Sequence, residues 1–452
     1  MTGRYKAYPE YKDSGVEWLE AVPMHWSSKP LKFMCTCNDE VINESADADY
    51  EIEYVDISSV SAVQGISKTE KVMFGKSPSR ARRIVRDGDV IVSTVRTYLE
   101  AIAPIINPPQ NMIVSTGFAV IRPNQYLDKG FASYCLRAKG FIREVVARSV
   151  GVSYPAINAS DLVEIKVPSL PKSEQQKIAN FLDHETAKID TLIAKQEKLI
   201  ELLKEKRQAV ISHAVTKGLN PDVQMKDSGV EWLGEVPAHW EVAPIKHFIS
   251  DRKGSVKVGP FGSHLKNTDM LGEDVKVIAQ KNVISKDICV GEAFISWEKY
   301  EELKAFTIEK GDLLITTRGT LGRTFIYDTD ALGILHPCLI RLQCNENKIK
   351  PELLALIIER SGYAMEQILV SSNSTTIEVI YSESLINTVI TLPTSLPEQC
   401  ELLGYIEKQD TNFSTLIANA ERSIELMKER KTALISAAVT GKVDVRDWQE
   451  SA

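Results

Sequence analysis

Between Lys71 and Glu100 the sequence sets seven Lys/Arg against three Asp/Glu, five of them in the run Gly75-Lys-Ser-Pro-Ser-Arg-Ala-Arg-Arg-Ile-Val-Arg86. Cationic side chains beside Ser and Gly, here Lys76, Arg80, Arg82, Arg83 and Arg86, suit contact with phosphate oxygens, which sets register and gives salt-dependent affinity. The same run also reads as a solvated charged edge. Arg96 and Tyr98 follow a strand-like run in VSTVRTYLE, where a projecting Arg could pair with a guanine edge. In the second half, ITTRGTLGR offers Arg318 as the counterpart of Arg96, with Thr320 and Arg323 nearby. Two polar loops occupy equivalent places: Gly151-Val-Ser-Tyr-Pro155, with Ser153 and Tyr154, and Ser371-Ser-Asn-Ser-Thr375, with Asn373 and Ser374.

Other chemistries find less support. Asn107-Pro-Pro-Gln110 resembles an amino-methyltransferase motif but has Gln where an aromatic must stack on the extruded base. No GxxxxGK[ST] run is present, which argues against an intrinsic ATP motor. Seven scattered cysteines show no zinc-ligand spacing, so free thiols in a reducing cytoplasm are expected and a structural metal is not. No apolar run approaches the roughly 18 residues that span a bilayer, and the opening MTGRYKAYPEYK does not read as a signal peptide. The net charge of −7 does not advertise nucleic-acid binding, so any DNA contact must rely on locally concentrated basic residues.

The elements that would position these residues are duplicated. Lys12–Trp26 (KDSGVEWLEAVPMHW) and Lys226–Trp240 (KDSGVEWLGEVPAHW) share twelve of fifteen residues, and Leu192–Thr216 and Leu416–Thr440 share 15 of 25. Between the shared blocks the two halves diverge, so a common frame carries two different bodies. From Ser173 to about Val215 there is no Gly or Pro, and Ser173 with Glu174, Gln175 and Gln176 predicts a capped helix start. Apolar positions Ile189, Leu192/Ile193, Leu199/Ile200, Leu203 and Val210, matched by Phe413, Leu416/Ile417, Ile424, Met427 and Leu434, predict two stripes packing as an antiparallel coiled coil. The bodies read as mixed α/β (α+β) with antiparallel sheets. Strands are expected at Val90–Val95, Ile113–Ile121, Leu313–Thr317 and Ile334–Leu342, and helices near Phe131–Arg148 and Pro351–Leu369. Trp18, Trp26, Trp232 and Trp240 are expected as buried anchors, and His25 and His239 as structural neighbours.

The twice-used KDSGVEWLG-type phrase, the LPxxEQ-type approach to a long helix and the RKxALIxxAVTG-like exit resemble the specificity subunit of a type I restriction–modification system, over essentially the whole chain. The resemblance implies two target recognition domains joined by two long antiparallel helices in a pseudo-twofold internal repeat. The expected divisions are 1–168 (first recognition domain), 169–218 (central helix), 219–240 (linker and repeated opening), 241–394 (second recognition domain), 395–442 (distal helix) and 443–452 (tail). It implies double-stranded DNA as ligand, two modification (methyltransferase) subunits and restriction subunits as partners, and no catalysis or cofactor in this chain. S-adenosylmethionine, ATP and Mg would sit on the partners. The Gly-rich basic stretch Lys257–Lys266, with Lys257, Ser263, His264 and Lys266, resembles one common in these domains, or is an ordinary turn. Three exposed-type pairs are identical in both helices although coiled-coil packing does not require it: Glu201/Glu425, Lys204/Lys428 and Glu205/Glu429. They are the expected docking face for the methyltransferase, unless common ancestry of the repeats left them.

Overall fold

The computed structural model describes residues 5–61, 65–371 and 378–449. The chain divides into two units, Met1–Glu197 with Glu421–Ala452 and Lys198–Ala420. Both long helices cross from one unit to the other: Lys172–Lys217, of 46 residues, and Leu396–Val439, of 44.

In the first unit an antiparallel sheet runs in the order Ile102–Pro104, Val90–Ser93, Phe118–Pro123, Cys35–Cys37. A second runs Glu70–Met73, Glu51–Val55, Met112–Ser115, Ala81–Ile84. The second unit repeats both orders: Val256–Val258, Leu339–Leu342, Leu313–Thr316, Thr324–Ile326, and Phe294–Ile295, Val275–Ile278, Gly333–Leu335, Thr307–Ile308. Each unit contains one parallel pair, Met112–Ser115 with Glu51–Val55 and Gly333–Leu335 with Val275–Ile278. Among the described residues every other pair of strands is antiparallel, and outside the strands the single bridge Leu271–Phe294 is parallel.

Val90–Ser93 and Leu313–Thr316 form single strands as expected, whereas the other two expected runs each divide between two sheets. Ile113–Ile121 breaks at Thr116-Gly117, where a Cβ on Gly117 would lie 2.3 Å from the Ile57 side chain. Ile334–Leu342 breaks at His336-Pro337-Cys338, because Pro cannot donate to a ladder. Each expected body helix also divides, into Lys129–Cys135 and Lys139–Ala147, and into Pro351–Arg360 and Tyr363–Ser371. The second break falls on Ser361-Gly362, with Gly362 at φ 82°.

The duplicated phrase is the lock between body and helix. Trp26 is fully buried and its indole Nε1 donates to Glu174 Oε1 at 3.1 Å, while His25 Nε2 lies 2.9 Å from Glu174 Oε2. In the second copy Trp240 Nε1 donates to Glu398 at 2.8 Å and His239 Nε2 lies 3.0 Å from the same carboxylate. The next residue repeats its role as well. Gln175 Nε2 donates to the carbonyls of Leu170 and Tyr126 and its Oε1 accepts from Asp128 N; Gln399 does the same with Pro393, Lys348 and Lys350. These amides are fully buried, and each satisfies three backbone groups, one of them in a buried hydrogen bond and two in partly buried ones. The first long helix thus starts one residue earlier than expected, and Glu174 and Gln175 point inward as a clamp instead of capping it. Helix exits meet the same tryptophans: Gly218 packs on Trp240, and Gly441 on Pro23 and Trp26, where a Cβ would come within 2.3 Å of the proline ring. The outer tryptophans depart from expectation. Trp18 is half-buried, its Nε1 donating to Lys166 O, but Trp232 is 56% exposed. In the second unit the Gln367 amide already bonds both backbone groups of Val389, occupying the place that Trp18 takes.

Within each unit the long helices run antiparallel. In the first, Lys177 meets Arg446 just beyond the second helix and Asp190 meets Lys431 at 2.7 Å. In the second, the exit at Gly218 and the start at Glu398 meet on Trp240. The paired apolar positions divide their labour: Ile193 and Ile417 face inward, whereas Leu192 and Leu416 are each 50% exposed and Leu199 is 43% exposed.

Asp410 ties three helices, meeting Arg207 of the first long helix at 2.6 Å and Arg360 of the body at 2.7 Å. Burial pushes its carboxyl pKa up, but the two guanidinium hydrogen bonds outweigh that and bring it down to about 2. A depressed folded-state pKa adds stability that is complete above the unfolded value near 4 and lost as pH falls toward 2. Asp410→Asn is expected to lower stability at pH 7 by about 1–2 kcal/mol, reduced from the full ion-pair value because the site is partly open to solvent. In urea titrations the gap between wild type and variant should close between pH 4 and 2; a gap constant down to pH 2 would contradict the assignment.

Candidate nucleic-acid interface

In the first unit the chain gathers candidate residues from three segments at one end of its sheets. Val95 bridges to Ala156, Thr97 N donates to Pro155 O, and the Thr97 hydroxyl lies 2.7 Å from that of Ser149. These contacts fasten the turn after Val90–Ser93 to the loop Gly151–Pro155. They bring the Arg96 guanidinium over the Tyr154 ring, 5.0 Å from its centroid. Tyr98, Ser153 and Tyr154 are all exposed beside it. Arg80 joins the same end, because its carbonyl accepts from Thr116 N while Thr94 N bonds Gly117 O. An open hollow of about 470 Å³ beside Arg80 is lined by Asp56, Ser58, Ser59, Ser67 and Lys68. Lys68 and the serines were not singled out from the sequence; their signal is the position of Asp56–Ser59 directly after a central strand, at the edge where the parallel pair ends.

The rest of the Arg cluster is dispersed. Arg82 lies over the Phe74 ring at 5.2 Å, and Lys76 is exposed on the short turn Phe74–Lys76. Arg83 is partly buried, its pKa drawn down by that burial, with its Nε buried and unpartnered among the described residues. Arg86 sits at the opposite end of its strand, paired with Glu40 at 2.7 Å.

The second unit assembles an equivalent end. Gly259 passes within contact of His336 and Pro337, so the loop Phe261–His264, with exposed Ser263 and His264, lies beside the turn after Leu313–Thr316. Arg318 and Thr320 are exposed on that turn, and Gln280 holds it by donating to the carbonyls of both residues. Gln280 follows the strand equivalent to the one before Asp56, and it too escaped the sequence reading. Other candidates stand apart. Lys257 lies mid-strand with its ammonium 4.5 Å from the Phe306 ring centroid, Lys266 is exposed before a short turn, and Arg323 pairs with Glu359 at 3.0 Å. Asn373 and Ser374 lie outside the described residues.

One sequence pairing is corrected. Ile157 N bonds Thr94 O and Ile380 N bonds Thr317 O, while Val95 bridges to Ala156 and Arg318 to Val379. By this ladder Arg318 matches Val95, and the backbone place of Arg96 belongs to Gly319. Similar spelling had aligned the two arginines, but hydrogen-bond register sets the correspondence.

On the helices, Glu201, Lys204, Glu205, Glu425, Lys428 and Glu429 are all exposed. Glu201 is held by Lys198 at 2.7 Å and Glu425 by Arg422 at 2.9 Å, the same i,i+3 arrangement in each copy. Among the described residues no cluster of His, Cys, Asp and Glu could hold a metal ion, and no helix is long and apolar enough to cross a membrane.

A family model for the type I restriction modification DNA specificity domain matches twice, over residues 34–202 and 265–431. The chain belongs to this family. The two matches cover most of each body and of each long helix, so this specificity subunit carries two target recognition domains. It is similar to the type I restriction enzyme MjaVIII specificity subunit of Methanocaldococcus jannaschii, with 23% identity over 75% of this chain and 76% of that protein. It is also similar to the StySPI specificity subunit of Salmonella potsdam, with 22% identity over 73% and 68%. Its fold matches a chain in a solved structure of the type I R-M system with a TM-score of 0.70 at 19% identity, covering 92% of this chain and 98% of that one. The HsdS subunit from Thermoanaerobacter tengcongensis matches with a TM-score of 0.56 at 20% identity, covering 93% and 98%.

Proposed function

We propose that this specificity subunit, joined by two methyltransferase subunits, directs adenine methylation at a split, asymmetric DNA site, and that restriction subunits add cleavage to the assembled complex. Each recognition domain reads one half of the site, and the long helices set the spacer between the halves and dock the partners. The observation that carries this reading is a repeated strand order and a repeated Trp–Glu–Gln lock around tips of different composition: Arg96, Tyr98 and Tyr154 in one, Gln280, Arg318 and Thr320 in the other. A duplicated frame with unlike tips suits a reader of two unlike sequences. Methyl transfer and ATP use belong to the partners, which bind S-adenosylmethionine, ATP and Mg, and the complex works in the cytoplasm.

The test is a mobility-shift titration with random-sequence duplex in the presence of the methyltransferase subunits, followed by a methylation assay. Affinity should fall linearly on a log–log plot against salt, because each Arg or Lys that meets a phosphate displaces counterions from DNA. Salt-independent binding would favour a scaffold for proteins. Methyl transfer by the chain alone would overturn the assignment of chemistry to its partners.

A further inference from the structure

Arg96 adopts the left-handed conformation, φ 51° and ψ 48°, which is unfavourable for a residue with a Cβ. The second unit has glycine at the same backbone place, Gly319 at φ 69°. Turn geometry thus demands a positive φ there, and the first unit meets the demand with an arginine. Strained, exposed non-glycine positions persist where the surroundings over-determine them, and they concentrate at functional sites.

The surroundings of Arg96 do over-determine it. The Ser93 hydroxyl donates to Val95 O, Leu99 N bonds Arg96 O, and Thr97 is held from the side by Pro155 O and the Ser149 hydroxyl. The guanidinium lies over the Tyr154 ring, 5.0 Å from its centroid, which restrains it while its N–H groups have no hydrogen-bond partner among the described residues. Arg86, Arg122 and Arg323 are each neutralised by carboxylates, whereas Arg96 has no ion pair among the described residues. A rigid, unneutralised and exposed guanidinium on a tight turn is suited to bidentate recognition of two neighbouring acceptors. In duplex DNA the O6 and N7 atoms of guanine provide that pair in the major groove.

Building on the proposed function, we infer that Arg96, positioned by Tyr154, is a specificity-determining side chain of the first recognition domain and reads a G·C pair in its half-site. The second domain, with Gly319 in that place, has no equivalent and reads its half through other groups on the same turn.

The experiment uses the full chain assembled with its methyltransferase subunits and single-molecule mapping of methylated adenines. Arg96→Gly is the informative variant, because glycine suits the left-handed backbone and the fold is expected to survive, as circular dichroism and thermal unfolding will show. Preference for guanine at one position of one half-site should fall about 10- to 100-fold, with the other half-site unchanged. Arg96→Lys should not restore it, since an ammonium cannot supply the planar fork, and Tyr154→Ala should relax the same position partially. A phosphate contact would instead weaken all sites alike and lower the salt slope by about one. Uniform weakening, or an unchanged motif with Arg96→Gly, overturns the inference while leaving the bipartite function intact. A wild-type complex that methylates no split site would instead overturn the function on which it rests.

Discussion

A hybrid chain whose residues 241–394 are replaced by the second body of another family member is expected to methylate a site changed completely in one half and not at all in the other. The expectation follows from how the second body is fastened. Its first strand, Trp240–Pro244, pairs along its whole length with Val389–Pro393, so the segment begins and ends on one two-stranded ladder. Just outside it, Glu398 and Gln399 grip Trp240, Pro393 and Lys348 through groups repeated in the first unit. Replacement therefore cuts at a boundary where the frame is constant and the cargo varies. The core of the second unit still depends on helix residues Ile211, Val215, Leu402 and Ile406, so donors should present apolar side chains toward these four. Methylation mapping of the hybrid checks the outcome; a change in both halves, with normal assembly, would show that the bodies do not read independently.

The second large effect is expected on the helices. Leu202 and Leu426 are the same position in the two copies and are 48% and 49% exposed; Leu192 and Leu416 are likewise matched at 50% each. A solvated helix face needs no leucine, and coiled-coil packing is already supplied by Ile193, Ile417, Ile424 and Leu434. Leu202 and Leu426 lie among the repeated charges Glu201, Lys204 and Glu205, and Glu425, Lys428 and Glu429. Each copy thus presents an apolar spot with a charged rim, the pattern of a protein interface. Covering a half-exposed leucine contributes on the order of 1 kcal/mol, and introducing a charge there adds a desolvation cost. Leu202→Glu with Leu426→Glu is expected to weaken docking of the methyltransferase subunits at least about 100-fold, at any ionic strength. Reversing Lys204 and Lys428 to Glu should act chiefly at low salt, because rim charges govern encounter more than residence. Light scattering reads the stoichiometry and circular dichroism checks that the helices persist. Full assembly by both variants would move the docking face elsewhere, with exposed Trp232 as the next position to probe.

Much of the frame was legible in the sequence because repetition and helical period are local signals. The long helices follow from apolar periods a few residues apart, and the two bodies and the burial of Trp26 and Trp240 from near-identical spelling that needs no knowledge of the fold. The sheets were harder, since Ile113–Ile121 and Ile334–Leu342 look like continuous apolar runs while their middles turn between sheets. What turns them is a distant close approach, Ile57 over Gly117, and a proline whose consequence depends on its partner strand. Of the candidate contacts, Arg96, Tyr98, Ser153 and Tyr154 converge although some fifty residues separate the two segments, because a bridge at Val95 and Ala156 joins them. Arg86 ends a strongly basic run and Arg323 follows Arg318 closely in the sequence, but Glu40 and Glu359 neutralise them in space. Ion pairing across a fold leaves no trace in a local charge count. The exposure of Trp232 was hidden for a similar reason, since the amide that takes its place, Gln367, lies more than a hundred residues away.

The central claim, that two unlike readers on one repeated frame define a split site, is tested most directly by mapping N6-methyladenine across host DNA in cells with and without this gene. The account predicts one gene-dependent motif made of two short, different half-sites separated by a fixed number of unspecified bases, methylated once in each half. A gene-dependent motif that is continuous and palindromic, or a methylation map unchanged by loss of the gene while the methyltransferase subunits remain, would contradict it.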